Sequence, residues 1–284
     1  MNIIEAVFLG LLQGITEFLP VSSSGHLVLF QRILGISGDM LLFDIVLHLG
    51  TLLAVLIIFR KDLWECVKHP LSKTTLALVI ATVPAVLIAL FFHNFIEKTF
   101  SGSYLGFGFI ITALMLLITA RPLRGAKDST PQGAAAKASG RLKQVEVKDL
   151  KDPLSIGVSF KSAVVIGLFQ GAAMLPGISR SGATVSGALI CGVPREKAAR
   201  FSFLMSVPVI LASAVYKIAG AASVTESLDI LPAALGFIAA AVSGFVAVKF
   251  MLKLIKKSKL WYFSIYLFAL GAFVLLNQYV LLWF

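Results

Sequence analysis

The sequence predicts an all-α integral membrane protein: about six transmembrane helices plus two re-entrant helix-loop-helix hairpins, arranged as inverted-topology repeats. Three observations carry that expectation. Of the 284 residues, 58% are hydrophobic and 14% charged, and the mean hydropathy of +0.93 lies far outside the range of soluble globular domains. Two stretches, GLLQGITEFLPVSSSGH (Gly10–His26) and GLFQGAAMLPGISRSGA (Gly167–Ala183), repeat one pattern of Gly-Leu-x-Gln-Gly, a Leu-Pro break, serines and a Gly that opens a second apolar run. In both copies the first glycine stands 15 residues before the last, although the proline comes one position earlier in the second. The third observation is that basic residues collect in particular connections between apolar stretches.

Taken in order, the first repeat covers 1–120. It opens with a hairpin, about 3–36, cut by Pro20 and the serines that follow. Each half falls short of the roughly 20 residues that cross a hydrocarbon core. Lipid cannot satisfy the backbone groups that Pro, Gly and Ser clusters expose, so such a break belongs inside protein or beside water. Three unbroken apolar stretches follow, approximately 41–59, 75–92 and 104–120. The segment 121–160 is rich in Lys, Gly, Ala, Gln and Ser and has no apolar periodicity, which predicts a cytoplasmic linker. The second repeat, 161–284, contains the second hairpin, 162–192, and spans over about 201–219, 231–255 and 262–283.

Charge orients these elements. Arg60, Lys61, Lys68 and Lys73 follow the first span, a basic cluster from Arg121 to Lys151 follows the third, and Lys256, Lys257 and Lys259 follow the fifth. The positive-inside rule places all three in the cytoplasm. Arg195, Lys197 and Arg200 follow the second hairpin, which must therefore return to the side it left. The connections His93–Ser103 and Ala221–Ile230, with Glu97, Glu226 and Asp229, then fall outside together with both termini. The first hairpin enters from outside and the second from inside, so their tips can meet near the midplane.

Composition also excludes. The net charge of +11 resides in short segments between spans, so no nucleic-acid partner is expected. The N-terminus lacks a basic n-region and carries Glu5 before its apolar run, unlike a secretory signal peptide. Cys66 and Cys191 suit neither a disulfide framework nor a metal-ligand spacing. Trp261, Tyr262, Tyr279 and Trp283 fit an aromatic belt at span ends.

The residues able to do chemistry lie at the two breaks. Gln13 and Glu17 are four apart and share a helix face. A carboxylate inside the membrane costs several kcal/mol unless protein, water or a cation faces it, which makes function its default reading. The plainer readings are a helix cap or a structural pair with an arginine. After the first proline come Ser22, Ser23, Ser24, Gly25 and His26: a favoured N-cap, room for close approach, and a helix N-terminus with unpaired N–H groups. His26 suits a nucleophile, general acid or base, or metal ligand, against a neutral histidine bonded between helices. At the second tip Arg180 stands alone in an otherwise uncharged run from Ala163 to Val193. Its guanidinium fork matches phosphate oxygens, and Gly177, Ser179, Ser181, Gly182 and Thr184 surround it with hydroxyls and backbone N–H groups. The competing reading is an Arg180–Glu17 bridge that locks the hairpins together. Asp44 and His48, four apart near the end of the first span, could border the cavity or form an interfacial pair.

These motifs resemble a known family. Gln13-x-x-x-Glu17 followed by Phe-Leu-Pro-Val-Ser-Ser-Ser-Gly-His26, together with Pro176-Gly-x-Ser-Arg180-Ser-Gly-Ala-Thr184, looks like the bacterial undecaprenyl-diphosphate phosphatases of the bacitracin-resistance type, over essentially the whole chain. The resemblance implies a bacterial inner-membrane enzyme that recycles the polyprenyl lipid carrier of peptidoglycan synthesis, with a site opening to the periplasm. It also implies dependence on a divalent cation, Mg2+ or Ca2+. Carried onto this chain, it makes Glu17, His26, Arg180 and Ser23 catalytic, with His26 or Ser23 as nucleophile, or water attacking directly. Ser22, Ser24, Gly25, Gly177, Ser179, Ser181, Gly182 and Thr184 become phosphate-binding, and Glu17 with Gln13 metal-binding. The first motif position is Gln13, which cannot be a second carboxylate, so the burden falls on Glu17. The expected partners are the polyprenyl diphosphate substrate and the bilayer; homo-oligomer formation is left open. Midplane broken helices in inverted repeats also mark transporters, so a flippase for a polyprenyl phosphate is the alternative.

Overall fold

The computed structural model describes residues 1–36, 40–99, 104–120, 154, 156–220, 228–256 and 260–283, and among them helix is the regular structure and no strand occurs. The linker expected over 121–160 lies almost wholly outside the described residues.

The first hairpin consists of α1 (Ile3–Phe18) and α2 (Ser23–Ile33). Helix α1 starts on a capping box in which Asn2 and Glu5 each accept the other's backbone N–H. It stops because Leu19, preceding Pro20, is pushed into an extended conformation with φ −74° and ψ 146°. There follow α3 (Leu41–Ile58), α4 (Arg60–Lys68), α5 (Lys73–Phe91), α6 (His93–Thr99) and α7 (Leu105–Ala120). The second hairpin is α8 (Phe160–Ala172) and α9 (Arg180–Ile190), and α10 (Arg195–Gly220), α11 (Ile230–Lys256) and α12 (Trp261–Leu276) complete the chain, the last running into a wider π turn over Asn277–Leu281. The hairpin arms hold 16, 11, 13 and 11 residues, all too short to span.

Among the described residues five helices, α3, α5, α10, α11 and α12 with its π turn, are long and apolar enough to cross a membrane. The sixth expected span is the shorter α7, whose 16 residues rise about 24 Å. The fourth span starts earlier than expected, because Arg195, Glu196 and Lys197 form the first turn of α10 instead of a loop. Helices α4 and α6 are additions to the expected set.

The hairpins are packed crosswise. Helix α1 lies along α11, and α8 lies along α5. Each first arm thus packs on the second long helix after the other hairpin, and the repeated Gly-Leu-x-Gln-Gly stretch makes both contacts. A Cβ on Gly10 would overlap the carbonyl oxygen of Gly236, one on Gly14 the Ser243 hydroxyl, and one on Gly167 the carbonyl oxygen of Ala81. Small residues bring helix backbones this close where no hydrophobic force separates protein from lipid. Helix α7 pairs with α12, and α3 with α10 and α11.

The largest buried cluster joins Phe18, Val55, Phe201 and Phe203, with Phe18 edge-on to Phe203 at 5.7 Å. The outer surface is apolar: Ile238, Val242, Val246 and Phe250, at four-residue steps along α11, are each more than half exposed. At one end of the bundle Arg200 of α10 grips Asp62 of α4 through two bonds, 2.8 and 2.5 Å long. There too Lys256 of α11 reaches Glu196 of α10 at 3.0 Å. The charged residues of α4, those that open α10 and Lys256 at the end of α11 therefore gather at one end.

Candidate active site

The hairpin tips meet, and Glu17 is where they meet. The last turn of α1 holds its carboxylate, which is buried. On Oε1 it accepts Arg180 Nη2 from the second tip. On Oε2 it accepts Gln13 Nε2 at 3.0 Å and Ser23 Oγ at 2.5 Å. His48 of α3 brings Nε2 to 3.9 Å from the same oxygen, while its Nδ1 donates to the carbonyl of Asp44 at 2.6 Å. His48 Nε2 therefore faces the Glu17 carboxylate.

The two tips are built alike. Ser22 caps α2 by accepting the Gly25 N–H at 3.4 Å, and Ser179 caps α9 by accepting the Gly182 N–H at 3.1 Å. The next residue in each tip, Ser23 or Arg180, is the one that reaches Glu17. Ser22 holds φ at +69°, unusual for a residue with a side chain, and such strain costs about 1–3 kcal/mol. Its carbonyl oxygen accepts from His26 Nδ1 at 2.7 Å. Gly177 at φ +84° leaves no room for a Cβ beside the carbonyl of Leu105, so α7 abuts the second tip directly. Thr112 of α7 fixes that contact: its hydroxyl lies 3.1 Å from the carbonyl of Gly177 and accepts the Ser179 N–H at 2.9 Å. Ser181 ties tip to tip by donating to the carbonyl of Leu19 at 3.0 Å.

Glu17, Ser23, Arg180, Gln13, Ser179, Ser181 and the tip glycines are thus drawn into one buried assembly. His26 sits one turn into α2, with Phe109 edge-on at 5.4 Å. Two expected residues stand apart from it. The Thr184 hydroxyl is engaged with Ser202 of α10 at 2.6 Å and with the carbonyl of Arg180, inside the α9–α10 contact. Ser24 is half-buried and has no hydrogen-bond partner among the described residues. The Arg180–Glu17 bridge weighed against function is present, yet it does not exhaust its members. Arg180 Nη1 and Gln13 Oε1 are buried without a partner among the described residues. One is a charged donor and the other a neutral acceptor. Unsatisfied buried groups of this kind are rare and call for a ligand.

Among the described residues no three His, Cys, Asp or Glu side chains form a metal cage. Glu17 and the orphan Gln13 Oε1 nevertheless fit the manner in which Mg2+ binds, through one or two protein oxygens with substrate phosphates and water completing the shell, and His48 stands beside Glu17 as its neighbour. His48, marked in the sequence by its spacing from Asp44, both bonds to the Asp44 carbonyl and borders Glu17. Thr112 gave no signal, being one hydroxyl in an apolar span.

Taken together, fold and site define an integral membrane protein with a buried polar cluster, built round the Glu17–Arg180 ion pair, at the junction of two helical hairpins. The model of the family "Bacitracin resistance protein BacA" matches residues 6–273. An undecaprenyl-diphosphatase of Carboxydothermus hydrogenoformans is 45% identical over 98% of both chains. Another, of Christiangramia forsetii, is 39% identical over 98% of this chain and 99% of its own. Undecaprenyl-diphosphatase 4 of Bacillus thuringiensis subsp. konkukian is 36% identical over 98% of each. The chain belongs to the BacA bacitracin-resistance family.

Proposed function

We infer that this protein is a membrane phosphatase that hydrolyses undecaprenyl diphosphate to undecaprenyl phosphate and inorganic phosphate. It thereby recycles the lipid carrier of cell-wall synthesis and supports bacitracin resistance. The observation that carries this reading is the buried ion pair of Glu17 and Arg180 across the two tips, with a charged donor and an amide acceptor beside it unpartnered. Relatives of the same length throughout are undecaprenyl-diphosphatases, which favours hydrolysis over lipid transport.

On this reading the polyprenyl tail stays in lipid and the diphosphate enters at the tips. Arg180 Nη1 donates to a phosphoryl oxygen, and the guanidinium stabilises the charge that grows there in the transition state. The N-termini of α2 and α9, aimed at the junction, add positive dipole ends. Glu17 keeps Arg180 and Ser23 in place. His26 and Ser23 are the groups able to attack or to move the proton, and water attack assisted by His26 is the third route. Glu17 and Gln13 would hold a divalent cation, with His48 beside Glu17, and that cation would neutralise diphosphate charge. The chain forms two inverted repeats, 1–120 and 161–284, joined by a cytoplasmic linker; the exchanged packing of α1 on α11 and α8 on α5 supports this. The membrane is the bacterial cytoplasmic membrane, with the site opening to the outside.

The deciding experiment is inorganic phosphate release from a C55 or C15 polyprenyl diphosphate by purified protein, with and without Mg2+ or Ca2+, beside Arg180→Ala. Metal-dependent release lost in the variant is the expected result. Absence of release from either lipid by folded protein with metal would overturn the reading and leave lipid movement in liposomes to be measured.

A further inference from the structure

His26 has both ring nitrogens engaged, and the second partner comes from the far end of the chain. Nδ1 lies 2.7 Å from the carbonyl oxygen of Ser22. A carbonyl can only accept, so Nδ1 carries the proton and neutral Nε2 bears the lone pair. Nε2 lies 2.7 Å from the hydroxyl of Tyr266 on α12, which therefore donates to it. The tyrosine ring also stacks on the imidazole, with centroids 5.8 Å apart and planes 15° from parallel. His26 is 1% exposed and Tyr266 45%. The tyrosine thus bridges the buried imidazole and the outer face of the bundle.

We propose that Tyr266 is a positioning residue for His26, holding the direction of its Nε2 while the Ser22 carbonyl sets the tautomer, a role that rests on the phosphatase reading of the site. The hydroxyl suits this task because it can turn. It donates to Nε2 while the imidazole is neutral, and it accepts from Nε2–H once the imidazole has taken a proton. Both protonation states of a general acid–base are then held in one orientation, and no ring flip separates them. The Ser22 carbonyl fixes Nδ1, while Tyr266 acts on Nε2 itself, the nitrogen that takes up and releases the proton. Because α12 packs on α7, and Phe109 of α7 meets the other edge of the imidazole, the last helix of the chain contributes to the first tip.

The test compares Tyr266→Phe with Tyr266→Leu in two readouts. The first is kcat and KM for phosphate release from a C15 polyprenyl diphosphate. The second is the Nε2 resonance of His26 in protein labelled with nitrogen-15 histidine, assigned among the four histidines by its loss in His26→Asn. The phenylalanine keeps the stacked ring and the packing and removes only the hydroxyl. It is expected to lower kcat by about 10- to 100-fold, below the most that loss of a general acid–base takes. KM should stay within about twofold, and the Nε2 resonance should move towards that of an unbonded imine nitrogen. A phenylalanine variant equal to wild type in kcat and resonance, with only the leucine variant impaired, would mean that the ring merely packs, and the proposal would fall. If wild-type protein released no phosphate, the phosphatase reading would fail by itself. The resonance would then decide alone whether Tyr266 sets the imidazole.

Discussion

Glu17 gathers donors from three separated parts of the chain: Gln13 and Ser23 in the first hairpin, Arg180 in the second, and His48 on α3 facing it. Removing its charge while keeping its shape separates a lock from a catalyst. Glu17→Gln leaves Arg180 buried without a counter-charge, and breaking such a pair costs about 3–5 kcal/mol. Thermal unfolding in detergent should show that loss, and phosphate release should fall by at least about 10². The double variant Glu17→Gln with Arg180→Gln should regain stability, since two neutral partners can be accommodated, and should regain no activity. Recovery of activity would mean the pair was only a lock. His48 carries a second prediction. His48→Ala should raise the Mg2+ or Ca2+ concentration giving half-maximal phosphate release by about 10-fold, with little change in thermal stability, since its imidazole is part-exposed. An unchanged metal requirement would remove it from the cation site. Much of this was legible in the sequence, because Glu17, Ser23, His26 and Arg180 break an apolar background where each polar residue is costly. His48 and Tyr266 were less so. A histidine at a span end looks like an interfacial group, and a tyrosine in an aromatic-rich span looks like belt. Thr184 shows the converse, a hydroxyl in the right motif spent on helix packing.

At the scale of elements, the duplicated Gly-Leu-x-Gln-Gly announces a hairpin arm in sequence, and in the structure it is also a contact surface. The two copies are not equally strict. A Cβ on Gly14 meets the Ser243 hydroxyl and, behind it, the backbone of Ala240 and Gly244, whereas on Gly171 it meets the far end of the flexible Ile88 side chain. Backbone cannot give way and a side-chain end can. Gly14→Ala should therefore destabilise by about 1–3 kcal/mol. It should also reduce phosphate release, because Glu17 lies one turn further along the displaced α1. Gly171→Ala should cost less in both, as Ile88 turns aside. Thermal unfolding and activity on the same two proteins check the order, and equal losses would show that the α8–α5 contact is as rigid as α1–α11. The hairpins were legible because Pro, Gly and Ser interrupt runs too short to span. Helix α4 was not, since nine residues with Arg60, Lys61, Asp62, Glu65 and Lys68 read as a charged connection until Asp62 is seen gripping Arg200.

At the scale of the whole molecule, access to the tips depends on which end faces the cytoplasm. The Asp62–Arg200 and Glu196–Lys256 pairs draw the charged residues of α4, those that open α10 and Lys256 at the end of α11 to one end, as a single cytoplasmic face requires and as scattered charge would not. Sequence orients that end inward through the positive-inside rule. The prediction needs one reporter at each end. Val67 of α4, 70% exposed, marks the basic end, and Ile230 at the start of α11, 83% exposed, marks the opposite one. Each would be changed singly to cysteine in a background with Cys66→Ser and Cys191→Ser. A membrane-impermeant maleimide added to intact spheroplasts should label Ile230→Cys and spare Val67→Cys, and inverted vesicles should give the reverse. The orientation has a chemical consequence. The first hairpin then enters from outside, so the α1–α2 tip with Glu17 and His26 is reached from outside. Labelling of Val67→Cys from outside would turn the molecule over. The same tips would then serve a diphosphate arriving from the cytoplasm, and the exchanged packing of the two hairpins would be unchanged by it.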